Sequence, residues 1–219
     1  MIMQSSAPIH QHWWPATSTR SAVDRRARSV MVYDKILDAV AVEYRLCRSQ
    51  LLIQKSGRGK PVVMQTADSG TRPVERCHIS VSHCRQLSVW MIQNRPCAVD
   101  IEPITASRTV DRLLKRLLSC VNDKHDASQC RSPEIGDQVS LLSLHERTLL
   151  FYRLWTYFES WCKWHGLTLW QTFQQQIPFP WPSVRSCLSG EPVLLGPRML
   201  ISYRQLSNDF SLCVFSTPH

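Results

Sequence analysis

No long apolar run occurs anywhere in the sequence. None of its segments approaches the roughly 20 consecutive apolar residues that span a membrane. The first twenty residues, Met1 to Arg20, also hold no apolar segment of the length that a secretory signal requires. We therefore expect a soluble cytoplasmic protein that has no membrane partner.

Closely spaced cysteine pairs are missing too. The chain has nine cysteines, an odd number, and no two of them stand in a Cys-x-x-Cys pattern. Neither a disulfide framework nor a zinc site is therefore indicated, and the thiols are expected to be reduced. The 219 residues are 43% hydrophobic and include eight tryptophans, which suffices for the core of one domain or of two small ones.

Acidic residues are few relative to basic ones. The 17 Asp and Glu residues face 26 Lys and Arg residues, which gives a net charge of +9. Such an excess favours an anionic partner, which could be a nucleic acid, a phosphorylated small molecule or an acidic protein. The first predicted helix follows a capping-box pattern at residues 21–24. Its start carries four arginines: Arg20, Arg25, Arg26 and Arg28. Cations at that end oppose the helix dipole unless an anion binds there, and a solvated basic face is the alternative.

The apolar periodicity predicts an α+β fold of helices packed on small, mostly antiparallel sheets. Residues 1–19 are polar and are expected to form a loosely ordered arm. The buried face of the first helix is predicted to hold Tyr33, Ile36, Leu37, Val40 and Tyr44. Strands are predicted at His78–Ser82, Leu87–Ile92, Cys97–Glu102, Met199–Arg204 and Phe210–Phe215.

The predicted strand Cys97–Glu102 carries two carboxylates on one face. Asp100 and Glu102 are two residues apart, so they point the same way and their Cα atoms lie roughly 6–7 Å apart. Both could then reach one hard cation. A solvated strand face that ends in acids is the alternative.

The stretch Leu154–Gly166 predicts a partly buried helix that is closed by a glycine cap. Glu159 and Lys163 are spaced i,i+4 and share one face with Trp155, at the edge of the apolar stripe. As a surface ion pair they would contribute only about 0.3 kcal/mol. Their place beside core residues leaves a functional role open.

Loops and one basic helix complete the pattern. The segment Lys55–Pro61 predicts a flexible loop, and its glycines lack the spacing of a P-loop. Val110–Leu118 predicts an amphipathic helix whose polar face carries positive charge. Two segments are predicted to be irregular: residues 122–139 as an exposed loop or lid, and Ile177–Pro182 as a rigid connection.

Four short motifs carry a resemblance to a known family. They are Gly59-Lys60-Pro61, Ser82-His83, Asp100-Ile101-Glu102 and Trp155-x-x-Phe158-Glu159-Ser160-x-x-Lys163. In order and approximate spacing they resemble the motifs of 4′-phosphopantetheinyl transferases of the surfactin-synthetase (Sfp) type, over about 105 of the 219 residues. The resemblance implies transfer of 4′-phosphopantetheine from coenzyme A to a serine of an apo acyl or peptidyl carrier protein, which releases adenosine 3′,5′-bisphosphate. It also implies two similar halves, residues 20–103 and 104–219, with the active site in the cleft between them.

The resemblance implies a metal site and a base. Asp100, Glu102 and Glu159 would hold Mg²⁺, or alternatively Mn²⁺, on the pyrophosphate of coenzyme A. Glu159 would also be the general base for the carrier serine, directly or through water. Attack of a serine on a pyrophosphate calls for such a metal, for a base within reach and for a cation beside the leaving group.

The remaining implied roles concern coenzyme A. Lys163 would offset the charge on the leaving group, and His83 would join it and Glu159 as a catalytic residue. Lys60 and Pro61 would border the adenine. The residues implied to bind coenzyme A are, in chain order, Arg28 at its 3′-phosphate, Lys60, Pro61, then Ser82 and His83 at its phosphates, and Lys163.

The carrier protein is the partner that the resemblance implies. Carrier proteins are typically acidic, so we expect one to contact the basic helix near Arg112, Lys115 and Arg116. A single chain suffices to build one site, and a monomer is therefore expected.

Three positions depart from the family pattern. Ala98 stands where the family usually has Gly, Phe158 where it has Lys, and Ser160 where it has Ala. Phe158 lies about 100° from Glu159 on a helix, on the apolar stripe, and is expected to pack there with the loss of one positive charge. On this interpretation Phe158→Lys should maintain or raise the transfer activity.

Two other functions stay open. A weakened family member would bind coenzyme A or a carrier protein without efficient transfer, as the missing lysine suggests. The second is a basic nucleic-acid-binding protein. The chain lacks interleaved Arg and aromatic residues, and that role leaves the three carboxylates without a task, so no nucleic-acid partner is expected.

Overall fold

The computed structural model describes residues 8–14, 22–55, 60–84, 87–105, 109–122, 139–169, 171, 184–195, 199–205 and 210–217. The helices in this part of the chain are α1 (Ala22–Glu43), a 3-10 helix (Arg48–Gln50), α2 (Val110–Asn122), α3 (Leu144–His165) and α4 (Val184–Ser189). The strands are β1 (His10–Trp13), β2 (Leu51–Lys55), β3 (Pro61–Ala67), β4 (Gly70–Pro73), β5 (His78–Cys84), β6 (Leu87–Gln93), β7 (Cys97–Pro103), β8 (Val193–Leu195), β9 (Met199–Gln205) and β10 (Phe210–Ser216).

The predicted α+β class is confirmed, because helices pack on sheets whose paired strands are antiparallel. Among the described residues, none of the helices is long and apolar enough to cross a membrane. The predicted loop over 122–139 lies outside the described residues except at its two ends, as does the connection Ile177–Pro182. Residues 56–59 of the predicted loop Lys55–Pro61 lie outside them as well.

Two of the sheets meet along strands β5 and β7. One sheet has the strand order β1-β6-β5 and the other β7-β10-β9-β8, while β2-β3-β4 form a third. At the meeting line the amide of Val99 donates to Ser80 Oγ at 3.0 Å, and the amide of Ile101 donates to Ser82 Oγ at 3.4 Å. The constant offset of 19 residues means that β5 and β7 run parallel there. Side-chain hydroxyls therefore join the two sheets.

The expected division at residue 103 stays a prediction, and two strand pairings bear on the expected halves and arm. Strand β7 of the expected N-terminal half pairs with β10 of the C-terminal half. The expected loose arm over 1–19 contains β1, which pairs with the free edge of β6 from His10 opposite Trp90 to Trp13 opposite Leu87. These four residues form a strand because they pair with β6. No periodicity in their own sequence predicts it.

Helix α3 begins and ends at sequence signals. Ser143 forms a capping box with Glu146, and Gly166 closes the helix with a φ of 69° in the left-handed region. The predicted glycine cap is thus confirmed, although the helix begins at Leu144, well before Leu154. The capping box fixes this start because Ser143 and Glu146 satisfy each other's backbone amides.

Helix α3 lies against strands β7 and β10 through an apolar face. Phe158 and Ala98 belong to one buried cluster with Phe215 of β10. The other face of β7 places Val99 and Ile101 in a second cluster. The predicted alternation of β7 is therefore confirmed, and both of its faces are covered. A third cluster, under α1, contains the predicted Ile36, Leu37 and Val40, with Tyr33 and Tyr44 packed against it.

Candidate functional site

The contact between β7 and α3 joins Lys163 to Asp100. The Lys163 ammonium donates to Asp100 Oδ1 at 2.7 Å and to the carbonyl of Val99 at 3.1 Å. The Asp100 side chain is only 3% exposed, whereas that of Lys163 is 27% exposed. The solvated-strand alternative for Asp100 is therefore wrong. The ion pair of Lys163 is not the one within the helix that the i,i+4 spacing suggested, because Lys163 reaches across to the strand.

Asp100 is held by one oxygen and leaves the other without a partner. Its Oδ1 also accepts a hydrogen bond from Ser82 Oγ at 2.7 Å. Its Oδ2 is buried and has no hydrogen-bond partner among the described residues. A buried carboxylate oxygen without a partner carries a desolvation cost that a ligand can remove.

Glu159 lies close enough to the strand carboxylates to feel their charge. Its pKa is raised to about 7, mainly by burial and next by the charge of Asp100, with a further contribution from Glu102. Lys163 and a hydrogen bond from the Trp155 indole oppose this increase in the pKa. The fold thus gathers the three predicted carboxylates around one region. In the part of the chain that the structure describes, no group of three His, Cys, Asp or Glu side chains is placed so that it could hold a metal ion.

A cationic cleft of about 340 Å³ lies next to these carboxylates. It is lined by residues of α1, the β2–β3 hairpin, β5 and the end of α3: Ser29, Tyr33, Lys55, Lys60, Pro61, Ser80, Val81, His83, Lys163, Gly166 and Leu167. Four of the residues predicted to bind coenzyme A, namely Lys60, Pro61, His83 and Lys163, therefore share one cleft. They come from segments as far apart in the chain as Lys60 and Lys163.

Positive charge in the cleft is only partly balanced. Lys60 donates to the carbonyl of Cys97 at 3.0 Å, and its pKa is lowered by burial and by the nearby charge of Lys163. Lys55 lies with its ammonium 4.8 Å from the ring centroid of Tyr33. An anion in the cleft would relieve the mutual repulsion of these lysines.

His83 borders the cleft in its neutral form. Its Nδ1 lies 2.8 Å from Ser88 Oγ. Although His83 is exposed on β5, the protein around its ring lowers its pKa to about 4, first by displacing water and then through the charges of Lys163, Lys55 and Arg28. At pH 7 the ring is therefore uncharged and offers a hydrogen bond rather than a positive charge.

Two predicted ligand contacts have other partners in this structure. Ser82 is buried and directs its hydroxyl to Asp100, and it does not line the cleft. Arg28 lies with its guanidinium carbon 5.7 Å from the ring centroid of Trp14, while its neighbour Ser29 lines the cleft. The first supports the carboxylate and the second lies at the margin of the cleft.

Other predicted residues are placed as follows. Gly59 lies outside the described residues. On α2, Arg112 and Lys115 are exposed, whereas the side chain of Arg116 lies outside them.

The departure at Phe158 is a core residue. Phe158 is 2% exposed and belongs to the same cluster as Ala98, as its position on the helix predicted. Ser160 is also buried and donates to the carbonyl of Cys213 at 3.2 Å. The expectation that Phe158→Lys preserves activity stays a prediction, but the burial of Phe158 argues against it, because the new ammonium would enter an apolar cluster and not the cleft.

Sequence reasoning missed three residues of this region. Lys55 ends β2 and reaches the cleft, but only its place beside a glycine-containing loop marked it. Trp14 and Ser88 contact each other at 2.8 Å and reach the site through His83. The paired Trp13 and Trp14 in an otherwise polar arm were the available signal.

Comparison of the sequence with family models and with curated proteins identifies no relative on which a function could be based. The gathered carboxylates and the cationic cleft therefore carry the functional conclusion. No protein-family model matches the chain, and no curated protein matches it with significant sequence similarity.

Proposed function

We propose that the protein transfers 4′-phosphopantetheine from coenzyme A to a serine of an apo carrier protein. The observation that carries this proposal is that the charges of Asp100 and Glu102 on β7 act on Glu159 of α3, with Lys163 at one end of a cationic cleft. Such a site suits a substrate with several phosphates, because lysines favour the anion and carboxylates favour a metal ion that accompanies it.

The donor set fits Mg²⁺. Asp100, Glu102 and Glu159 supply the carboxylate oxygens that this ion prefers. The unpartnered Oδ2 of Asp100 is a buried oxygen that a cation could satisfy. The charges of Asp100 and Glu102 add to the effect of burial in raising the pKa of Glu159. When bound, Mg²⁺ would supply charge stabilisation at the pyrophosphate oxygens.

Glu159 is the residue best suited to accept the serine proton. Without a metal ion its pKa is raised to about 7, and a bound Mg²⁺ would lower it and so favour the ionised carboxylate that accepts a proton. In the proposed reaction the serine oxygen forms a bond to the phosphorus that carries the pantetheine. The bond from that phosphorus to the bridging oxygen breaks, adenosine 3′,5′-bisphosphate leaves with the electron pair, and Glu159 holds the serine proton.

Lys163 and the cleft residues bind and orient the anion. Lys163 lies between Asp100 and the cleft, so it can offset charge on the leaving phosphate without moving far. Lys60 and His83 line the same cleft and offer further donors. We propose that the cleft lies between two similar halves, which is supported by the packing of α1 on β2 and β6 and of α3 on β7 and β10.

The proposed carrier surface is the exposed basic side of α2. Arg112 and Lys115 are exposed there and would attract an acidic carrier protein. The chain alone holds every proposed catalytic residue, so a monomer suffices.

Mass spectrometry tests the transfer directly. An apo carrier protein is incubated with coenzyme A, Mg²⁺ and the protein, and a gain of one phosphopantetheine mass is expected. Glu159→Gln should abolish the gain, while Glu75→Gln, which changes an exposed carboxylate of the same type, should leave it unchanged. No mass gain across a panel of acyl and peptidyl carriers would overturn the proposal.

A second candidate function is binding of coenzyme A without efficient transfer. It is favoured by Phe158, a buried core residue at the helix position where the resembling family has a lysine. Calorimetry that detects coenzyme A binding in a preparation that modifies no carrier would support this alternative.

A further inference from the structure

A chain of three polar groups leads from the N-terminal strand to His83. The indole Nε1 of Trp14 lies 2.8 Å from Ser88 Oγ, and the same oxygen lies 2.8 Å from His83 Nδ1. Ser88 is fully buried and stands opposite His83 in the β5–β6 pairing. It also stands opposite His12 in the β1–β6 pairing, which brings Trp14 to its side.

The direction of each hydrogen bond follows from the protons available. An indole nitrogen only donates, so Ser88 Oγ accepts from Trp14. The Ser88 hydroxyl has one proton of its own, and a buried hydroxyl proton needs an acceptor. Among the described residues, the second hydrogen bond of this oxygen is with His83 Nδ1. The hydroxyl therefore donates to Nδ1, which must carry a lone pair.

We propose that Trp14 and Ser88 are positioning residues that hold His83 as the tautomer with its proton on Nε2. Nδ1 is turned to Ser88, so Nε2–H is the donor left for the cleft that His83 lines. The cleft thereby presents a neutral N–H donor among its lysines, which suits a non-bridging phosphate oxygen. The assignment of the tautomer does not depend on the proposed function. The role of the Nε2–H group in binding coenzyme A rests on the proposed function.

The surroundings of His83 agree with a neutral ring. The cationic groups that act on it are Lys163 from α3, Lys55 from β2 and Arg28 from α1, and all three disfavour a second ring proton. A charged ring would also have a proton on Nδ1, which would compete with the Ser88 hydroxyl proton for the same position. The Ser88 hydroxyl proton cannot avoid this competition by turning toward Trp14, because the Trp14 indole N–H already donates to Ser88.

Nitrogen NMR of ¹⁵N-histidine-labelled protein tests the tautomer in the wild-type chain. At pH 7 the Nδ1 of His83 should resonate as an unprotonated acceptor and Nε2 as a protonated nitrogen, with the assignment taken from the signals that His83→Gln removes. A protonated Nδ1, or an equal mixture of tautomers, would overturn the proposal. Because this measurement needs no variant in the positioning residues, it decides the question even where such a variant fails to fold.

Variants test which residues set the tautomer. Ser88→Ala should shift the His83 signals toward a mixture of tautomers, and Trp14→Phe should shift them in the same direction by less. Trp90→Phe is the matched control, because the Trp90 indole nitrogen has no hydrogen-bond partner among the described residues. If Ser88→Ala folds and leaves the His83 signals unchanged, the positioning role is wrong.

Coenzyme A binding separates this inference from the proposed function. Loss of one oriented hydrogen bond should raise the Kd of coenzyme A about fivefold in Ser88→Ala. A wild-type chain with the Nε2–H tautomer but no coenzyme A binding would refute the proposed function and leave the tautomer assignment standing. Coenzyme A binding without that tautomer would do the reverse.

Discussion

Two ion-paired sites of this protein contrast in burial. On the surface, Arg48 of the 3-10 helix pairs with Asp34 and Asp38 of α1 at 3.0 and 2.8 Å, and all three side chains are 38–68% exposed. At the candidate site Lys163 pairs with Asp100, whose side chain is 3% exposed. Water can replace every contact of the first site but not those of the second. A carboxylate kept out of water with one oxygen unpartnered is costly for folding alone, which points to a ligand.

The contrast is sharpest one residue away from the site. Phe158→Lys places an ammonium among apolar side chains where Phe158 is 2% exposed. We expect this to be the largest effect, a loss of about 4 kcal/mol or more in the free energy of unfolding, measured by urea titration. Phe158→Leu is the control and should cost roughly 1–2 kcal/mol. A Phe158→Lys protein as stable as wild type would show that this side of α3 faces the cleft.

Removing the cation from each ion pair tests the comparison directly. Lys163→Met leaves the buried Asp100 without a positive partner and should lower the unfolding free energy by about 3 kcal/mol. Arg48→Met, the matched change on the surface, should cost less than about 1 kcal/mol. Adding Asp100→Asn to Lys163→Met should restore most of the loss. Equal losses of unfolding free energy in Lys163→Met and Arg48→Met would remove the distinction between the sites.

Magnesium should stabilise the protein by binding at the buried site and not at the exposed ion pair. At a Mg²⁺ concentration ten times its Kd, the unfolding free energy of the wild type should rise by about 1.4 kcal/mol. Asp100→Asn and Glu159→Gln should each reduce that increase, since each removes a carboxylate of the set. Asp38→Asn, in the exposed pair, should retain the full increase. A wild-type response that persists in Asp100→Asn would place the ion elsewhere.

The pH dependence of the unfolding free energy separates Glu159 from an ordinary glutamate. Folded Glu159 retains its proton up to about pH 7, whereas a glutamate of ordinary pKa 4.5 loses it earlier, so between these values the unfolded chain binds fewer protons. Stability must then fall as the pH rises from about 4.5 to 7. Glu159→Gln should lack this fall.

His83 has the opposite effect on the same curve. With its pKa lowered from 6.5 to about 4, it contributes stability that is present above pH 6.5 and is lost as the pH falls toward 4. The difference between wild type and Glu159→Gln cancels the histidine and isolates Glu159. A difference curve that is flat between pH 4.5 and 7 would contradict the raised pKa.

The sequence predicted those helices and strands whose hydrophobic periodicity or end residues lie within the element itself. The alternation of β7 and the apolar face of α1 follow directly from periodicity, and the glycine cap of α3 from one residue. The Glu159 position beside Asp100 could be anticipated only by resemblance, because 59 residues separate the two in the chain. Strand β1 could not be predicted, since its order depends on the edge of β6.

Other features were within reach but carried weak signals. The sheet β2-β3-β4 was not predicted, although Asp68-Ser69-Gly70 is a turn signal between two of its strands. The ion pair of Lys163 with Asp100 was not predicted either, because i,i+4 spacing favoured Glu159. Spacing within a helix describes neighbours in an isolated helix, whereas packing on β7 supplied a better partner.

The serines between β5 and β7 give the two sheets a connection of an unusual kind. Ser80 and Ser82 accept hydrogen bonds from the Val99 and Ile101 amides through their side chains. Main-chain bonds between strands persist through almost any substitution, but these two are encoded by single codons. Replacing either serine with alanine removes one of these hydrogen bonds between the sheets. Single point mutations at Ser80 or Ser82 can therefore change how rigidly the two sheets are joined.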